Sequence, residues 1–529
     1  MFEKDKNPVS VSIENSSVNL NHEPFYITTP IYYPNSVPHL GHAYTTIVAD
    51  VVNKYQKFFG RESFFMTGTD EHGQKVYQAA EKQGVPTIEY VNKIVSEFQT
   101  SWDKLKVNPN HFMRTTDPSH KRVVTIVLDM LYKNGDIYKK DYEGWYCVSE
   151  EIFYTEKDLV DGKTPTGKEV ALVTEENYFF RMSKYQERLV DYIKTHDGFI
   201  NPPKRMQEVL GFLREPISDL CISRPKSRVN WGIELPFDKD FVTYVWFDAL
   251  LNYVSGIGYE NKESNDFYKF WSECHHLIGK DILITHAVYW PTMLMAMGLS
   301  MPKQIFAHGW WLNSQSEKMS KSEGDVVSPT NLADKIGVDS FRYFICTGGK
   351  FGNDITFDTQ KMKERLNDEL ANTYGNLVSR VHKLAIRDFD GKVPVVNLKN
   401  ESSKELLTKV YNLTSGVQEK INELRVDEAI LSVIHILKDA NKYFGDMEPW
   451  SLAKQGKTKE ENECLYVTLE SLRCCSILLM PVMPEATSKV LELLNIDNCD
   501  IILQDFSGLN EKGFDIIVKE IEPLFSRLF

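Results

Sequence analysis

Two hydrophobic periodicities alternate near the start of the chain. Phe25 to Tyr33 is an apolar run rich in Ile, Thr and Tyr, which predicts a strand ending before Pro34. From His42 to Phe59 apolar residues recur every three or four positions, which predicts one buried face of a helix. A second strand is predicted from Ser63 to Thr67. Strand, helix and strand in this order predict a βαβ unit, and therefore a parallel sheet with a right-handed crossover.

The same alternation of predicted strands and helices recurs later in the chain. Three further strands are predicted, at Phe241–Trp246, His276–Gly279 and Gln304–His308. A helix is predicted from Asp248, and Asp281 stands where it can cap the helix that follows the middle strand. Residues 139–229 interrupt the rhythm with glycine, proline and turn clusters, which indicates an insertion into a doubly wound α/β domain.

Beyond about residue 360 the predicted strands give way to helices. Apolar residues recur at helical spacing in Met362–Asp388, Lys404–Leu424, Asp427–Gly445 and Glu460–Leu479. A C-terminal α-helical domain is therefore predicted.

Composition is ordinary for a globular chain of several domains. The 529 residues are 42% hydrophobic and 26% charged, and no apolar run reaches the roughly 18 residues that a membrane-spanning helix needs, so no membrane is expected as a partner. Residues 1–24 are polar and contain no Arg, which favours a disordered leader over a targeting peptide. The 8 cysteines are scattered, and Cys474 and Cys475 suit buried helix positions, so a reducing, cytoplasmic setting is expected.

The net charge of −13 does not exclude a nucleic-acid partner, because phosphate binding needs only a local basic surface. Two clusters are candidates for that surface: Lys204 with Arg205, and Arg224 with Lys226 and Arg228. Solvated surface charge is the alternative interpretation of each.

A first chemical motif follows the first predicted strand. Pro38 leads into His39-Leu40-Gly41-His42 at the predicted helix start. Helix N-terminal amides favour phosphate, and a glycine lets a nucleotide approach the backbone. Two histidines beside them make a positive, donor-rich site, although satisfied surface histidines remain the alternative for this motif alone.

A second motif is the run Lys318-Met319-Ser320-Lys321-Ser322 in a polar stretch. Two ammonium groups and two hydroxyls on a loop suit a clamp on a polyphosphate. Alone, the run is equally consistent with a solvated loop.

Together and in this order, the two motifs resemble the paired signatures of class I aminoacyl-tRNA synthetases. Further segments narrow the resemblance to the methionyl-tRNA synthetases and extend it over about residues 25–490: Thr29–Tyr33, Thr69–Gly73, Trp246–Ala249, Ile278–Ile282 with His286, and His308–Trp310. The resemblance implies an α/β fold, with a Rossmann-like catalytic domain, a connective insertion and an α-helical anticodon-binding domain. It implies activation of L-methionine by ATP and transfer of methionine to the 3′-terminal adenosine of tRNA(Met).

The resemblance also implies an amino-acid pocket, formed by Ile31, Tyr33, Asp70, Trp246, Ala249, Leu250, Tyr253, Ile282 and His286. Spacing supports part of it, because Ala249 and Tyr253 are four residues apart on one helix face. Aromatic walls suit a thioether, and Asp70 would pair with the substrate ammonium. For each aromatic residue taken singly, ordinary core packing is the alternative.

The nucleotide site implied by the resemblance consists of His39, Gly41, His42, Asp281, Gly309, Trp310, Trp311, Lys318, Ser320 and Lys321. Among these, His39, His42, Lys318 and Lys321 are the expected catalytic groups, and Mg²⁺ is expected with ATP. In the helical region Asn376, Arg380 and Trp450 match the anticodon-reading positions, with Trp450 at a helix end. An amide and a guanidinium read base edges, and an indole stacks on an unpaired base; a helix-capping aromatic and an exposed surface pair are the alternative.

The implied layout is a leader (1–24), catalytic halves (25–138 and 230–311) around the connective insertion (139–229), a phosphate-loop and stem-contact region (312–371) and the anticodon-binding domain (372–529). Many family members bind zinc in the insertion through cysteine pairs. Here Cys147 is followed by Glu150 at the second ligand position, and the insertion's other cysteine is the distant Cys221, so no structural zinc is predicted. No appended tRNA-binding module is recognised after the helical domain, so a monomer is expected.

Two other functions compete with this interpretation. A synthetase for isoleucine, valine or leucine would carry a larger insertion with an editing domain, and one for cysteine would need zinc thiolates. An inactive relative could serve as a tRNA-binding scaffold. The intact His39, His42, Lys318 and Lys321 argue against that role, because a dead site has no need for the phosphate clamp.

Overall fold

A computed structural model describes residues 23–147, 152–154, 156–261, 265–315, 328–496, 513–517 and 522–529. In chain order the strands are β1 Phe25–Tyr32, β2 Ser63–Thr69, β3 His111–Arg114, β4 Ile137–Cys147, β5 Ile152–Tyr154, β6 Ala171–Phe180, β7 Ile200–Asn201, β8 Leu220–Cys221, β9 Ser223–Pro225, β10 Glu234–Leu235, β11 Asp238–Thr243, β12 Cys274–Gly279, β13 Gln304–His308, β14 Trp311–Leu312, β15 Ile355–Thr356, β16 Lys392–Val393 and β17 Phe514–Asp515.

The α-helices are α1 Leu40–Phe58, α2 Gln74–Gln83, α3 Thr87–Lys104, α4 Pro118–Lys133, α5 Gln186–Thr195, α6 Pro203–Phe212, α7 Val245–Leu250, α8 Asn252–Ser255, α9 Asn265–Trp271, α10 Trp290–Met297, α11 Pro329–Ile336, α12 Val338–Thr347, α13 Thr359–Leu366, α14 Asn376–Phe389, α15 Glu401–Asn422, α16 Val426–Met447, α17 Pro449–Lys454, α18 Thr458–Leu479 and α19 Pro484–Leu493. Single-turn and π-helical segments are Glu156–Asp158, Met182–Tyr185, Tyr259–Asn261, Lys280–Ile282, Thr285–Tyr289 and Asn367–Gly375. Across the part of the chain that the structure describes, no helix is long and apolar enough to cross a membrane.

The chain divides into two units. Residues Pro24–Ala49 and Phe64–Trp310 form the first, here called the α/β unit. Asp50–Ser63 and Trp311–Phe529 belong to the second, here called the helical unit.

A parallel sheet organises the α/β unit, with strand order β3-β2-β1-β12-β13-β7. Tyr26 lies opposite Cys274 and His276 lies opposite Ile305, so β12 runs parallel to both of its neighbours. The strand order reverses direction between β1 and β12, which makes their carboxyl ends the switch point where doubly wound sheets bind ligands. The predictions of a βαβ unit and of a doubly wound α/β fold are confirmed.

The predicted strand Phe241–Trp246 is wrong in two respects. The observed strand, β11, ends at Thr243 and pairs antiparallel with β9 and β10, outside the parallel sheet. Tyr244 is the N-cap of α7, so Val245 and Trp246 are helical. A continuous apolar run carries no periodicity that separates a strand from a buried helix start, and only pairing partners decide it.

The predicted insertion contains a second, antiparallel sheet. Strands β4 and β6 form a long ladder from Ile137–Phe180 to Tyr146–Ala171, with β5 and β8 at its edges. One strand within that range, β7, pairs instead with β13 at the edge of the parallel sheet.

Helices dominate the helical unit as predicted, with the four predicted segments observed at α13–α14, α15, α16 and α18. Cys474 and Cys475 are fully buried in α18, as expected. The prediction that strands end near residue 360 needs correction, because β16 and β17 form a short antiparallel pair. A buried ion pair holds residues 50–63 to this unit, since Arg342 donates to Asp50 at 2.8 Å and to the carbonyls of Pro481 and Val482.

Candidate active site

The two motif histidines cap the helix that follows β1. The Nδ1 of His39 accepts the amides of Gly41 at 3.1 Å and His42 at 3.4 Å, and the amide of His39 donates to the Nδ1 of His42 at 3.3 Å. This is a capping box built from imidazoles. A ring nitrogen that accepts carries no proton, so both rings are neutral with the hydrogen on Nε2. The expected positive site is thus a pair of neutral N–H donors.

Close packing explains the glycine between them. The His39 and His42 rings stack with centroids 3.7 Å apart. A Cβ on Gly41 would lie 3.0 Å from Cε1 of His39 and push the capping ring away. Gly41 therefore suits the tight packing of the helix cap, independently of any nucleotide.

Helix α1 is also tied to the end of β13. His308 Nδ1 donates to the carbonyl of Gly309 at 2.7 Å, which leaves its Nε2 to accept the Thr45 hydroxyl at 2.8 Å. This bond joins elements from both sides of the switch point, and it places Gly309 at the same edge of the sheet as His39.

A polar pair lies in the predicted amino-acid pocket. The Tyr253 hydroxyl is 2.7 Å from Nε2 of His286, whose Nδ1 donates to the carbonyl of Ile282 at 2.9 Å. Nε2 is therefore the acceptor, and the hydroxyl donates. Burial lowers the pKa of His286 to about 4, although the Ile282 bond opposes the shift. The imidazole is consequently neutral at physiological pH.

The other predicted pocket residues belong to the same α/β unit. Ala249, Leu250 and Asp70 are buried, and the half-buried Tyr33 and Trp246 meet edge to face at 6.5 Å. Ile31 and Ile282 pack against the hydrophobic cluster that contains Leu250 and Tyr253. Asp70 follows β2, and its amide donates to the carbonyl of Tyr32 at 2.9 Å. The nine predicted residues thus lie at four places in the α/β unit, namely the end of β1, the position after β2, helices α7 and α8, and the segment after β12.

Asp281 does not cap a helix, contrary to the prediction. Gly279 occupies the N-cap position of the turn Lys280–Ile282, which has no side-chain cap. The Oδ1 of Asp281 instead accepts the indole N–H of Trp310 at 3.2 Å, while the Lys280 ammonium lies 4.1 Å from that ring's centroid. A Cβ on Gly279 would meet this Oδ1 at 2.6 Å, so glycine permits the inward turn of Asp281.

Four further residues were predicted for the nucleotide site, and Trp311 alone of these is among the described residues. Trp311 belongs to the helical unit, where its buried ring packs against Phe344 and Phe357 at 5.4 and 6.1 Å. Lys318, Ser320 and Lys321 lie outside the described residues.

In the helical unit, two of the three predicted anticodon-reading residues meet. The Arg380 guanidinium lies 5.6 Å from the Trp450 ring centroid and 5.0 Å from that of Phe444. Asn376 is exposed one turn before Arg380 on α14. Trp450 does not end a helix as predicted, because α16 ends at Met447 and Pro449 begins the new helix α17.

The structure does not leave the main members of the two candidate basic clusters as exposed, unpaired charges. Arg205 is 7% exposed and bonds to Glu208 at 2.6 Å, and Arg224 is 4% exposed. Lys226 pairs with Glu234 at 2.5 Å. The partner of Arg205 lies three residues along the same helix and was visible in the sequence, whereas Arg224 is buried against Tyr146 and Tyr244, which only the fold brings to it.

Cys147 and Cys221 are buried thiols, and Arg224 donates to the Sγ of Cys221 at 3.3 Å. Glu150 lies outside the described residues. Among the residues that are described, no group of three or more His, Cys, Asp or Glu side chains could hold a metal ion. The absence of structural zinc stays a prediction.

Sequence reasoning missed the side chains that fix the segment around Asp70. Glu71 is fully buried and accepts Nε of Arg114 at 2.6 Å, the Thr69 hydroxyl at 2.7 Å and the Thr116 hydroxyl. Its neighbour His72 bonds to Asp248 at 2.6 Å. Glu71, His72 and Asp248 lie inside the segments Thr69–Gly73 and Trp246–Ala249, so the sequence offered a reason to consider them. Arg114 lies in no such segment, and nothing in the sequence pointed to it.

Comparisons with known proteins agree with this architecture. Residues 25–172 and 157–382 match the family model for class I tRNA synthetases (M). The methionine–tRNA ligase of Caldanaerobacter subterraneus subsp. tengcongensis is 43% identical over 95% of this chain and 79% of its own length. That of Clostridium acetobutylicum is 43% identical over 89% and 73%.

Solved structures of methionyl-tRNA synthetase are similar to this chain over nearly its whole length. Methionyl-tRNA synthetase of Mycobacterium tuberculosis bound by methionyl-adenylate superposes with a TM-score of 0.91 at 36% identity, covering 95% of this chain and 100% of its own. The apo form of the same enzyme gives 0.86 at 34% identity, covering 96% and 99%.

A doubly wound sheet with a histidine-capped helix at its switch point, together with the family match, defines a class I tRNA synthetase. Within that class the chain belongs to the methionine–tRNA ligase family, since it shares 43% of its residues with relatives of that name over most of its length.

Proposed function

We propose that this protein activates L-methionine with ATP, forming methionyl-adenylate and pyrophosphate, and then transfers methionine to the 3′-terminal adenosine of tRNA(Met). The observation that carries the proposal is the neutral Tyr253–His286 pair, in which Tyr253 belongs to the hydrophobic cluster, together with the buried carboxylate of Asp70, whose charge acts on Tyr253. Asp70 would pair with the substrate ammonium. The apolar walls and a neutral imidazole suit a thioether, whereas a charged imidazolium would oppose it.

The nucleotide would bind along the switch-point edge of the sheet. His39 and His42 would supply Nε2–H donors. Asp281, which accepts the indole N–H of Trp310, would bind a ribose hydroxyl, and Trp310 would contact adenine. Gly309 follows β13 at the same edge. Lys318, Ser320 and Lys321 would hold the phosphates, and Mg²⁺ would arrive with the triphosphate, whose oxygens it prefers as ligands. The role of Trp311 would be limited to its backbone, because its indole is buried.

The chemistry is in-line attack by the methionine carboxylate on the α-phosphorus. This nucleophile is already ionised at neutral pH, so no general base is required. Positioning by Asp70 and stabilisation of the departing pyrophosphate by His39, His42, Lys318 and Lys321 would supply the rate. The terminal ribose hydroxyl of tRNA would then attack the mixed anhydride and release AMP.

Recognition of the anticodon is proposed for the helical unit. Exposed Asn376 and half-buried Arg380 share one face of α14, and Arg380 contacts the ring of Trp450. An unpaired base could stack on that indole while the amide and guanidinium read its edge.

The decisive test is amino-acid-dependent exchange of pyrophosphate into ATP, measured with each of the twenty amino acids. Exchange that peaks with methionine, followed by charging of tRNA(Met), is the expected result. A peak with isoleucine, valine, leucine or cysteine would reassign the substrate. Loss of all exchange in a folded protein that still binds tRNA would support the scaffold alternative.

A further inference from the structure

A second buried constellation lies behind the proposed amino-acid pocket and takes no part in the chemistry described above. The carboxylate of Asp248 is fully buried, and each of its oxygens has its own histidine partner. Nδ1 of His72 lies 2.6 Å from Oδ2, and Nε2 of His120 lies 2.7 Å from Oδ1. Nδ1 of His120 is in turn 2.7 Å from the hydroxyl of Ser255.

The three residues come from separate elements, two of which also carry pocket residues. His72 is two residues after Asp70 in the segment that follows β2. Asp248 lies in α7 between Trp246 and Ala249, and its helical neighbour α8 ends at Ser255. His120 belongs to the first turn of α4 and touches both ends of this stretch. The constellation therefore links the carboxylate side of the pocket to its aromatic side.

The ionised, buried carboxylate of Asp248 makes it costly to separate the residues that it joins. Burial by itself raises the pKa of the carboxyl, but the charges and hydrogen bonds of His72 and His120 outweigh it and lower the pKa to about 2. A buried carboxylate that lost either partner would be left under-compensated in an apolar setting, which is costly. The segment around Asp70 and helix α7 are thus held at one mutual distance.

We infer that Asp248 is a positioning residue for the amino-acid site, which acts through His72 to hold the Asp70 carboxylate at a fixed distance from Trp246 and Ala249. Asp248 itself touches no substrate. The inference rests on the proposed function, because it assigns Asp70 to the methionine ammonium. Its consequence is that loss of the link harms methionine binding and leaves the nucleotide edge of the sheet unchanged.

The test compares four variants in methionine-dependent pyrophosphate exchange, with thermal unfolding measured alongside. Asp248→Asn keeps the shape but offers one acceptor to two donors, and His72→Ala removes one donor. His72→Asn is the rescue variant, because its side-chain nitrogen takes nearly the position of the imidazole Nδ1. Asp136→Asn is the control, since Asp136 is likewise buried and doubly bonded, to Lys184 at 2.6 Å and Tyr185 at 3.0 Å, away from the pocket residues.

We expect Asp248→Asn and His72→Ala to raise the KM for methionine at least about tenfold, since small misplacements of binding groups cost this much or more. The KM for ATP should stay within about twofold, and His72→Asn should recover most of the methionine affinity. Asp136→Asn should lower thermal stability without changing either KM.

An unchanged KM for methionine in the folded variants would overturn the inference, as would parallel increases in both KM values. If Asp248→Asn does not fold, the His72 pair decides the question, because failure of His72→Asn to improve on His72→Ala would also overturn it. Absence of methionine-dependent exchange in the unmodified protein would instead refute the proposed function.

Discussion

The Tyr253→Phe substitution tests the pocket most directly. It removes one hydroxyl and keeps the ring, which packs against His276 and Trp290 with centroids 4.2 and 6.0 Å away. The lost contact is the 2.7 Å bond that the Tyr253 hydroxyl donates to Nε2 of His286. Because Nδ1 of His286 donates to the carbonyl of Ile282, the ring cannot turn to replace the missing donor without losing that bond.

The expected cost follows from burial. Tyr253 and His286 are 1% and 2% exposed, so the Nε2 acceptor would be left without its partner inside the protein. A buried acceptor stranded in this way costs about 1–3 kcal/mol of stability. We expect the free energy of unfolding to fall by about 2 kcal/mol. Methionine affinity should fall about five- to tenfold, which corresponds to about 1–1.4 kcal/mol, as His286 loses its fixed orientation.

Pyrophosphate exchange at varied methionine and ATP, with urea unfolding, measures both effects. Tyr55→Phe is the matched control, because the Tyr55 hydroxyl is also buried and donates to the carbonyl of Leu478 at 2.7 Å, within the helical unit. It should lose similar stability with no change in the KM for methionine. A Tyr253→Phe enzyme whose KM for methionine is unchanged, or whose KM for ATP rises equally, would refute the reasoning.

Three further predictions concern other parts of the protein. Trp450→Ala should raise the KM for tRNA about tenfold or more, given the stacking energy of one base, while methionine-dependent exchange stays unchanged; equal charging at sub-saturating tRNA would reject the stacking role. Lys321→Ala should slow methionine activation about 10²-fold with methionine affinity nearly intact, as for the loss of one preorganised donor, and an unchanged rate would remove Lys321 from the clamp. His286 has a pKa of about 4 in the fold, below its ordinary value, so the stability it contributes is complete above about pH 6.5 and falls towards pH 4, by up to about 1.4 kcal/mol per pH unit. Chemical denaturation across this range should show a smaller slope for His286→Gln, and identical slopes would contradict the assignment.

Local patterns predicted the elements well wherever one face is buried. The helix expected over His42–Phe59 is observed as Leu40–Phe58, and that expected over Asp427–Gly445 is observed as Val426–Met447. The predictions of secondary structure failed where the apolar pattern is continuous and where the structure has a short turn in place of the predicted start of a helix. Val245 and Trp246 were assigned to a strand, and Asp281 to a helix cap. The spacing of apolar residues in the sequence does not reveal strand pairing partners or turn geometry.

The candidate site residues also differ in how far the sequence predicted them, because some depend on local contacts and others on distant ones. The His39–His42 capping pair lies within four consecutive residues, so its geometry is local. The burial of Arg224 was not foreseen, since it packs against Tyr146 and Tyr244, which are distant in the sequence.

The sequence by itself determined the order of elements, the motifs on the first strand and helix, and the family to which the chain belongs, because these depend on residue types at short spacing. Only the tertiary structure decided which side chains fix the pocket. Asp248 meets its histidines across 176 and 128 positions, and Tyr253 meets His286 across 33. Such contacts exist only once the tertiary fold has brought together segments that are far apart in the sequence, and no local pattern encodes them.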